Sequence, residues 1–351
     1  MVADSTLPRQ FRGQLSRERR HEDYTLCDND LDDLCPLDNG DHVARSKLDI
    51  GDLDDLPLEL LCEIFAQLDI LSLTTFRRVN RRAMQVVNAI PQYRTIIKHG
   101  KTALQGILCI EVGAHVTCND LFSALQERKC DNCGDLAGFI YLPTCSRVCS
   151  PCFTEDKKYF PLRHTEAVRE FGVKKRIFNS VPTMKTIPGY FGPSYSDMRK
   201  SRMVLMDAEA ARRAGAAFHG SDAAMKQNVA KVKADRLEEY GKQWDKSIKI
   251  GIYHGPLVPK NLPPDKVQDR YASDPRRYMA IVRAPWVDPA THSEEWGYYC
   301  VGCEWWSHDN RPSERDRSEH GSRLYTLESF AEHVKEHGPV VDRFHKGDRL
   351  S

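Results

Sequence analysis

The chain has 351 residues, 40% of them apolar, and 51 lysines and arginines against 50 acidic residues leave a formal net charge of +1. That length accommodates two domains and at least one real core, while a charge near zero excludes a global field that would draw nucleic acid or an anionic membrane. No run approaches the roughly 18 apolar residues of a membrane span and the start MVADSTLPRQFRGQ lacks the apolar stretch of a secretory leader, so a soluble protein of the cytoplasm or nucleus is expected, in which 12 cysteines point to metal ligation and buried thiols rather than disulfides. Residues 1–50 are polar. A basic start (Arg12, Arg17, Arg19, Arg20) is followed by a stretch from Glu22 to Asp55 that is dominated by aspartate and balanced only by Arg45 and Lys47, a composition that predicts a disordered acidic tail. Cys27 and Cys35 fall in it at a spacing that matches no common metal knuckle and read as free thiols.

From Leu53 to Ile97 the apolar residues take helical spacing. Pro57 suits a first helical position, where its missing N–H costs nothing, and Asp54, Asp55 and Glu59 complement the positive end of the dipole, so a helix is expected from Leu56-Pro57. Leu60, Leu61, Ile64, Phe65 and Leu68 then form one broad stripe. Ser72 is placed to cap a second helix carrying Leu73, Phe76, Val79, Ala83 and Val87, with Arg77, Arg78, Arg81 and Arg82 on its other faces. Pro91 ends that helix, and Tyr93, Ile96 and Ile97 predict a short third one. The order Leu-Pro-x-Glu, paired Leu, Ile-Phe, Leu, then Leu-x-x-Phe-Arg-x-Val resembles an F-box. The resemblance implies a small helical module that docks on the Skp adaptor of an SCF-type ubiquitin ligase, and through it on a cullin. Its adaptor-binding positions would be Leu56, Pro57, Leu60, Leu61, Ile64, Phe65, Leu68, Leu73, Phe76 and Val79. Asn80-Arg81-Arg82 departs from the family pattern, which often has a Ser followed shortly by an aromatic there.

Beyond it, Ile107, Leu108, Ile110 and Val112 are apolar or β-branched, and Cys118-Asn119-Asp120 is positioned to open a helix on Leu121, Phe122 and Leu125; Cys109 and Cys118 read as buried small hydrophobes. Cysteines then cluster. Cys130 and Cys133 form a Cys-x-x-Cys followed by Gly134, and Cys149 and Cys152 form a second, at the spacing of one four-cysteine zinc site with Phe139–Leu142 as a strand between. Cys145 is a fifth sulfur that competes with Cys149 for the fourth place or lies beside the site. A redox Cys-x-x-Cys would require a βαβ frame that neither pair has around it.

Residues 174–192 read as short strands or an extended crossing segment, and 196–247 as mostly helical, broken near Gly215 and at His219-Gly220-Ser221, with a narrow apolar face of Ala224, Val229, Val232 and Leu237. The C-terminal part turns β-rich in IKIGIYHG, RRYMAIVRAPWV and EEWGYYCVGCEWW, with alternation at Tyr278, Ala280, Val282 and at Trp296, Tyr298, Cys300. A charged loop, SHDNRPSERDRSEHG, leads to a helix that Thr326 caps and that carries Leu327, Phe330, Ala331 and Val334. His333 and His337 share a face of it, so Cys300, Cys303, His333 and His337 predict a second zinc site on ββα logic, with His308 or His320 as substitutes and a gap longer than a usual finger's.

The set of F-box, YLPTC, HGS, MAIVRAPWV and WGYYCVGC resembles F-box proteins of filamentous fungi. The expected class is α+β: a small N-terminal helical F-box followed by a zinc-stabilised mixed α/β C-terminal region. Its segments are a disordered acidic tail (1–50), the F-box module (51–100), a four-cysteine zinc region (101–170), a mostly helical spacer (171–248) and a β-rich domain with the two-Cys, two-His site (249–351). The expected function is a non-catalytic substrate receptor, with the F-box on the adaptor and the C-terminal region on a protein target. The alternative is a zinc-dependent protein- or nucleic-acid-binding regulator acting outside a ubiquitin ligase. Against nucleic acid, the helix at 327–337 sets a single lysine against three glutamates. The chain has no G-x-S-x-G, P-loop or H-E-x-x-H, so no enzyme is expected.

Overall fold

The computed structural model describes residues 7–17, 24–29, 31–35, 37, 49–192, 198–249, 274–309 and 321–346. Within Leu53–Ile97 two helices start at a proline and two where a side chain accepts one of their first N–H groups. Pro57 stands outside, with an extended ψ of 142°, so the first helix runs Leu58–Ala66, one residue later than the sequence reading. Asp69, not Ser72, caps the next, its carboxylate accepting the Ser72 N–H at 2.8 Å, and that helix stops at Arg77. The single second helix expected from sequence is two, because Asn80 takes an extended conformation and its side chain accepts the Ala83 N–H at 2.9 Å, starting Arg81–Ala89 afresh. Asparagine makes that local bond at the expense of the helical ladder. Pro91–His99 follows as expected.

These helices bury Leu61, Phe65, Ile70, Leu73, Val87, Tyr93 and Ile96, and Phe65 packs on Phe76 with ring centroids 4.7 Å apart. Lys101–Cys109 and Cys118–Gln126 extend the same core, the second opened by a Thr117–Asp120 capping box. Cys118 is fully buried, as expected, and Cys109 is half-buried. Backbone bonds from Ile70 N to Val116 O (2.8 Å) and from Cys118 N to Leu68 O (3.0 Å) tie that last helix back to the module.

By contact the chain forms two units that interleave along the sequence: Met1–Tyr159 with Met184–Met203 and Tyr271–Ser351, and Phe160–Thr183 with Val204–Arg270. The five consecutive segments read from sequence differ from this division because the chain leaves the first unit after Tyr159 and twice comes back. In the first unit the strands are short and antiparallel, which makes the class α+β. Phe139–Tyr141 lies between Ser146–Val148 and Ile281–Arg283, and Tyr298–Cys300 lies between Leu15–Ser16 and Leu324–Tyr325. Two-stranded pairs join Trp286–Val287 to Glu294–Glu295 and Val340–Val341 to Phe344–His345. The alternation read at 278–282 and 296–300 is absent: Tyr278 sits in a 3-10 turn, and Ile281, Val282, Tyr298, Tyr299 and Cys300 are all buried, because both faces of these strands are covered. Of the IKIGIYHG strand, Ile248 and Lys249 instead end the helix Asp222–Lys249, and its remainder, most of the SHDNRPSERDRSEHG loop and the side chains of His308 and His320 lie outside the described residues.

The N-terminal segment is the largest departure from expectation. Leu7, Phe11 and Leu15 are buried in the C-terminal core, Leu15 pairs with Cys300, and Phe11 meets Phe330 edge-on at 5.3 Å. Gln14 adds two anchors, its carbonyl accepting Val301 N at 3.0 Å and its Oε1 accepting Val340 N at 2.7 Å. A polar, basic composition concealed apolar residues spaced by four.

The second unit packs Phe160, Phe171, Phe178, Met206, Ala211 and Met225 between the helices His164–Phe171, Ala208–His219 and Asp222–Lys249. Gly215 does not break its helix. A Cβ there would meet Met225 Sδ at 2.8 Å and Phe171 Cβ at 2.9 Å, so the glycine serves close packing. The chain turns instead at Gly220, whose φ is +88°.

Truncation of a buried phenylalanine costs about 3 kcal/mol or more. Phe11→Ala is therefore expected to lower the urea midpoint of unfolding and to expose the C-terminal core to limited proteolysis before the 58–126 helices, which checks that the N-terminal segment belongs to the fold.

Candidate metal centres and an exposed apolar face

Among the described residues two groups of four donors converge, and within each the donor atoms all lie within 4.8 Å of one another. In the first, Cys130 and Cys133 bracket a turn closed by Gly134 N to Cys130 O (2.9 Å) and Cys130 N to Asp135 O (2.7 Å). Gly134 takes a φ of +80°, which any other residue would adopt only with strain, and this lets the turn present both sulfurs. The second pair arrives on the strand Ser146–Val148 and the helix Ser150–Glu155, with Cys149 at the cap and Cys152 in the first turn. Asp131 N donates to Arg147 O at 3.0 Å, joining the two arms directly. Cys133 Sγ stands 3.5 Å from Cys149 Sγ, and Asn132 Nδ2 donates to Cys152 Sγ at 3.4 Å.

Zinc–sulfur bonds of about 2.3 Å in a tetrahedron place sulfurs about 3.8 Å apart, so the group is the size such a site requires. Hydrogen bonds from Cys149 and Cys152 hold the Cys130 thiol well below its usual range, whereas Cys149 and Cys152 are pushed up, Cys152 to about 12, because they give those protons to Cys130. A dication would stabilise all four thiolates as these protons stabilise one. Cys145 is not in the group. It sits in the turn before Ser146 with a φ of +53°, buried, and burial pushes its thiol up.

The second group contains Cys300, Cys303, His333 and His345. Cys300 ends the strand Tyr298–Cys300 and Cys303 lies in the first turn of Val301–Asp309, so this Cys-x-x-Cys is a strand-to-helix step rather than the hairpin of a ββα finger. His333 comes from Leu327–His337, opened by a Thr326–Ser329 capping box, and His345 from the Val340–His345 hairpin. Nε2 of His345 is 3.3 Å from Cys300 Sγ, 3.6 Å from Cys303 Sγ and 3.1 Å from His333 Nε2, which is itself 3.4 Å from Cys303 Sγ. With bonds of about 2.0 Å to nitrogen and 2.3 Å to sulfur, tetrahedral edges are about 3.3 to 3.8 Å, and these distances fit.

Nδ1 of His345 donates to Gly338 O at 2.7 Å, which leaves Nε2 as the lone-pair nitrogen, and His333 Nδ1 faces the Tyr325 hydroxyl at 3.4 Å. The Cys303 thiol, with His333 and His345, lowers Cys300 to about 3 against its burial. His337 is not the fourth donor. Its ring stacks beside His333, centroids 4.6 Å apart, and it is partly exposed next to Glu336. Two imidazoles one turn apart lie side by side, whereas the hairpin brings His345 across from His333. A cleft of about 830 Å³ opens between the groups, lined by Cys133, Cys149 and Cys152 on one side and by His333 and His337 on the other, with Arg323 and Glu332 at its walls.

The positions read from sequence as adaptor-binding divide by burial. Leu61, Phe65 and Leu73 are 1%, 4% and 0% exposed and hold the module together, so they are unavailable to a partner; Leu68 and Phe76 are half-buried. Pro57 is exposed, and Leu56, Leu60, Ile64 and Val79 stand 37%, 47%, 47% and 67% exposed, joined by Leu58 and Leu71, which sequence reasoning passed over. Their exposed face was hidden because a stripe alone does not say which half of it faces the core.

Residues 53–95 match the family model described as F-box domain, so the chain carries an F-box there. No curated protein and no solved structure matches the chain. Among the described residues no helix is long and apolar enough to cross a membrane.

Native mass spectrometry of the full chain is expected to find one divalent ion for each of the two donor groups. Cys149→Ser and His345→Ala each lose one ion, whereas Cys145→Ser and His337→Ala retain both.

Proposed function

We propose that this chain is the non-catalytic substrate-recognition subunit of an SCF-type ubiquitin ligase, its F-box holding the Skp adaptor and through it a cullin, its C-terminal region holding a protein target. The observation that carries this reading is the apolar face left exposed on the matched domain, Leu56, Leu58, Leu60 and Ile64 around its first helix. Water contact at such side chains costs roughly 1.5 to 3 kcal/mol each relative to full burial, and a surface of this kind is stable when a partner covers it.

The metal in both centres is zinc on this reading, since thiolate and imidazole donors at tetrahedral spacing suit it. Four protein donors leave no position for a reactive water, so the role is structural. The target lies in the cleft between the two centres, whose walls carry Arg128, Lys129 and Arg323 as well as Asp135, Glu332 and Glu336.

Leu60→Asp combined with Ile64→Asp is expected to lower affinity for the Skp adaptor by at least about 100-fold while leaving circular dichroism and metal content unchanged. Undiminished binding by a folded double variant would remove the reading, and a regulator acting outside a ubiquitin ligase would take its place.

A further inference from the structure

Cys27 and Cys35 are not tail thiols. Cys27 Sγ accepts the Arg283 N–H at 3.1 Å, and Cys35 closes the short helix Leu31–Leu34, its N–H donating to Leu31 O at 2.8 Å. Its carbonyl accepts Gln105 Nε2 at 2.9 Å, and the same amide reaches Asp32 at 2.8 Å, where Lys101 adds an ion pair at 2.6 Å. Gln105 lies one helical turn before Cys109, so anchoring the Cys35 backbone on Gln105 sets Cys35 over Cys109. Both are half-buried, and both line one open pocket of about 220 Å³ with Leu34, Leu108 and Arg202.

We propose that Cys35 and Cys109 form a peroxide-reactive dithiol site, distinct from both metal centres, that closes reversibly to a disulfide. Cys35 is the attacking sulfur. The hydrogen bond from Cys109, with help from the Arg78 guanidinium, brings Cys35 down to about 7 against its partial burial, so a large thiolate fraction exists at neutral pH. Cys109 is raised because it gives its proton to Cys35. Of the other cysteines outside the metal groups, Cys62, Cys118 and Cys145 are all pushed up by burial, which protects them.

In the first step the Cys35 thiolate attacks one oxygen of a hydroperoxide. The S–O bond forms, the O–O bond breaks, and hydroxide or alkoxide leaves, so that sulfur is oxidised to sulfenic acid and peroxide is reduced. That step removes the negative charge that raised Cys109, and nearby Arg202 favours its thiolate. Cys109 sulfur then attacks Cys35 sulfur. The S–S bond forms, the S–O bond breaks, and the hydroxide released takes the Cys109 proton to leave as water. A thiol reductant reverses the reaction. The bond encloses residues 36–108, and with them the whole matched domain at 53–95.

The test uses the full metal-loaded chain, one molar equivalent of hydrogen peroxide and peptide mapping without reductant. A linked peptide pair joining Cys35 to Cys109, lighter by about 2 Da than the two thiol peptides and released by dithiothreitol, is expected. In Cys109→Ser, dimedone should trap a sulfenic acid on Cys35; in Cys35→Ser, Cys109 should stay reduced. On the unmodified chain at pH 7, iodoacetamide should label Cys35 about tenfold faster than Cys62. Labelling at equal rates, a sulfenic acid on Cys109 in place of Cys35, or oxidation of metal-centre cysteines while Cys35 and Cys109 remain thiols would each overturn the assignment. None of these readouts depends on adaptor binding.

Discussion

Eight sulfur and imidazole donors drawn into two groups, each within 4.8 Å, are the constraint on which the C-terminal architecture depends. The strands around them are two or three residues long and assemble into sheets of two or three strands, too little ladder to stand alone. Each centre joins elements that no ladder joins: two turns and a helix in one, a strand, two helices and a hairpin in the other. Structural zinc in small domains contributes on the order of 10 kcal/mol, well above the roughly 2 kcal/mol from burying one more aliphatic side chain.

Backbone carbonyls that such short sheets leave over need partners as well, and two buried arginines supply them. Arg147, 1% exposed, donates to Ala137 O at 2.6 Å, Ala284 O at 3.1 Å and Pro285 O at 3.2 Å. Burial brings its guanidinium down to about 10. Arg277, fully buried, donates at 2.8 Å to both Phe153 O and Asp156 O. A guanidinium offers five donors in a fixed fork, so one side chain closes carbonyls from several loops at once. Both arginines lie next to the four-cysteine arm, Arg147 on its second strand and Arg277 against the end of its helix, so they brace what the sulfurs gather.

Legibility in the sequence followed the range of the physics involved. Helices at 58–99 and 118–126 were readable because periodicity and caps act within four residues; the misses there, Asp69 and Asn80, were choices among competing caps, while Lys101–Cys109 went unread because its apolar and β-branched run carries no clear start signal. The four cysteines of the first group were readable because the two Cys-x-x-Cys pairs and Gly134 each act locally. His345 was not, since its place depends on a hairpin that returns the chain to His333, and His337 offered a plausible but local substitute. Residues 7–17 were hidden for a related reason: their three apolar side chains find a partner surface only across the length of the chain. The Cys35–Cys109 contact depends on Gln105 and could not be read from spacing.

The pairing of Leu15 with Cys300 has a consequence for how the protein is made. On a ribosome the chain emerges N-terminus first, and the helices at 58–126, which need only near neighbours, can form while synthesis continues. The Leu7–Leu15 arm must wait for Tyr298–Cys300, and the donor His345 emerges later still. A nascent chain stalled in between would therefore display a finished helical module beside an unsatisfied edge strand and bare thiols, which is the state that chaperones and quality-control proteases recognise.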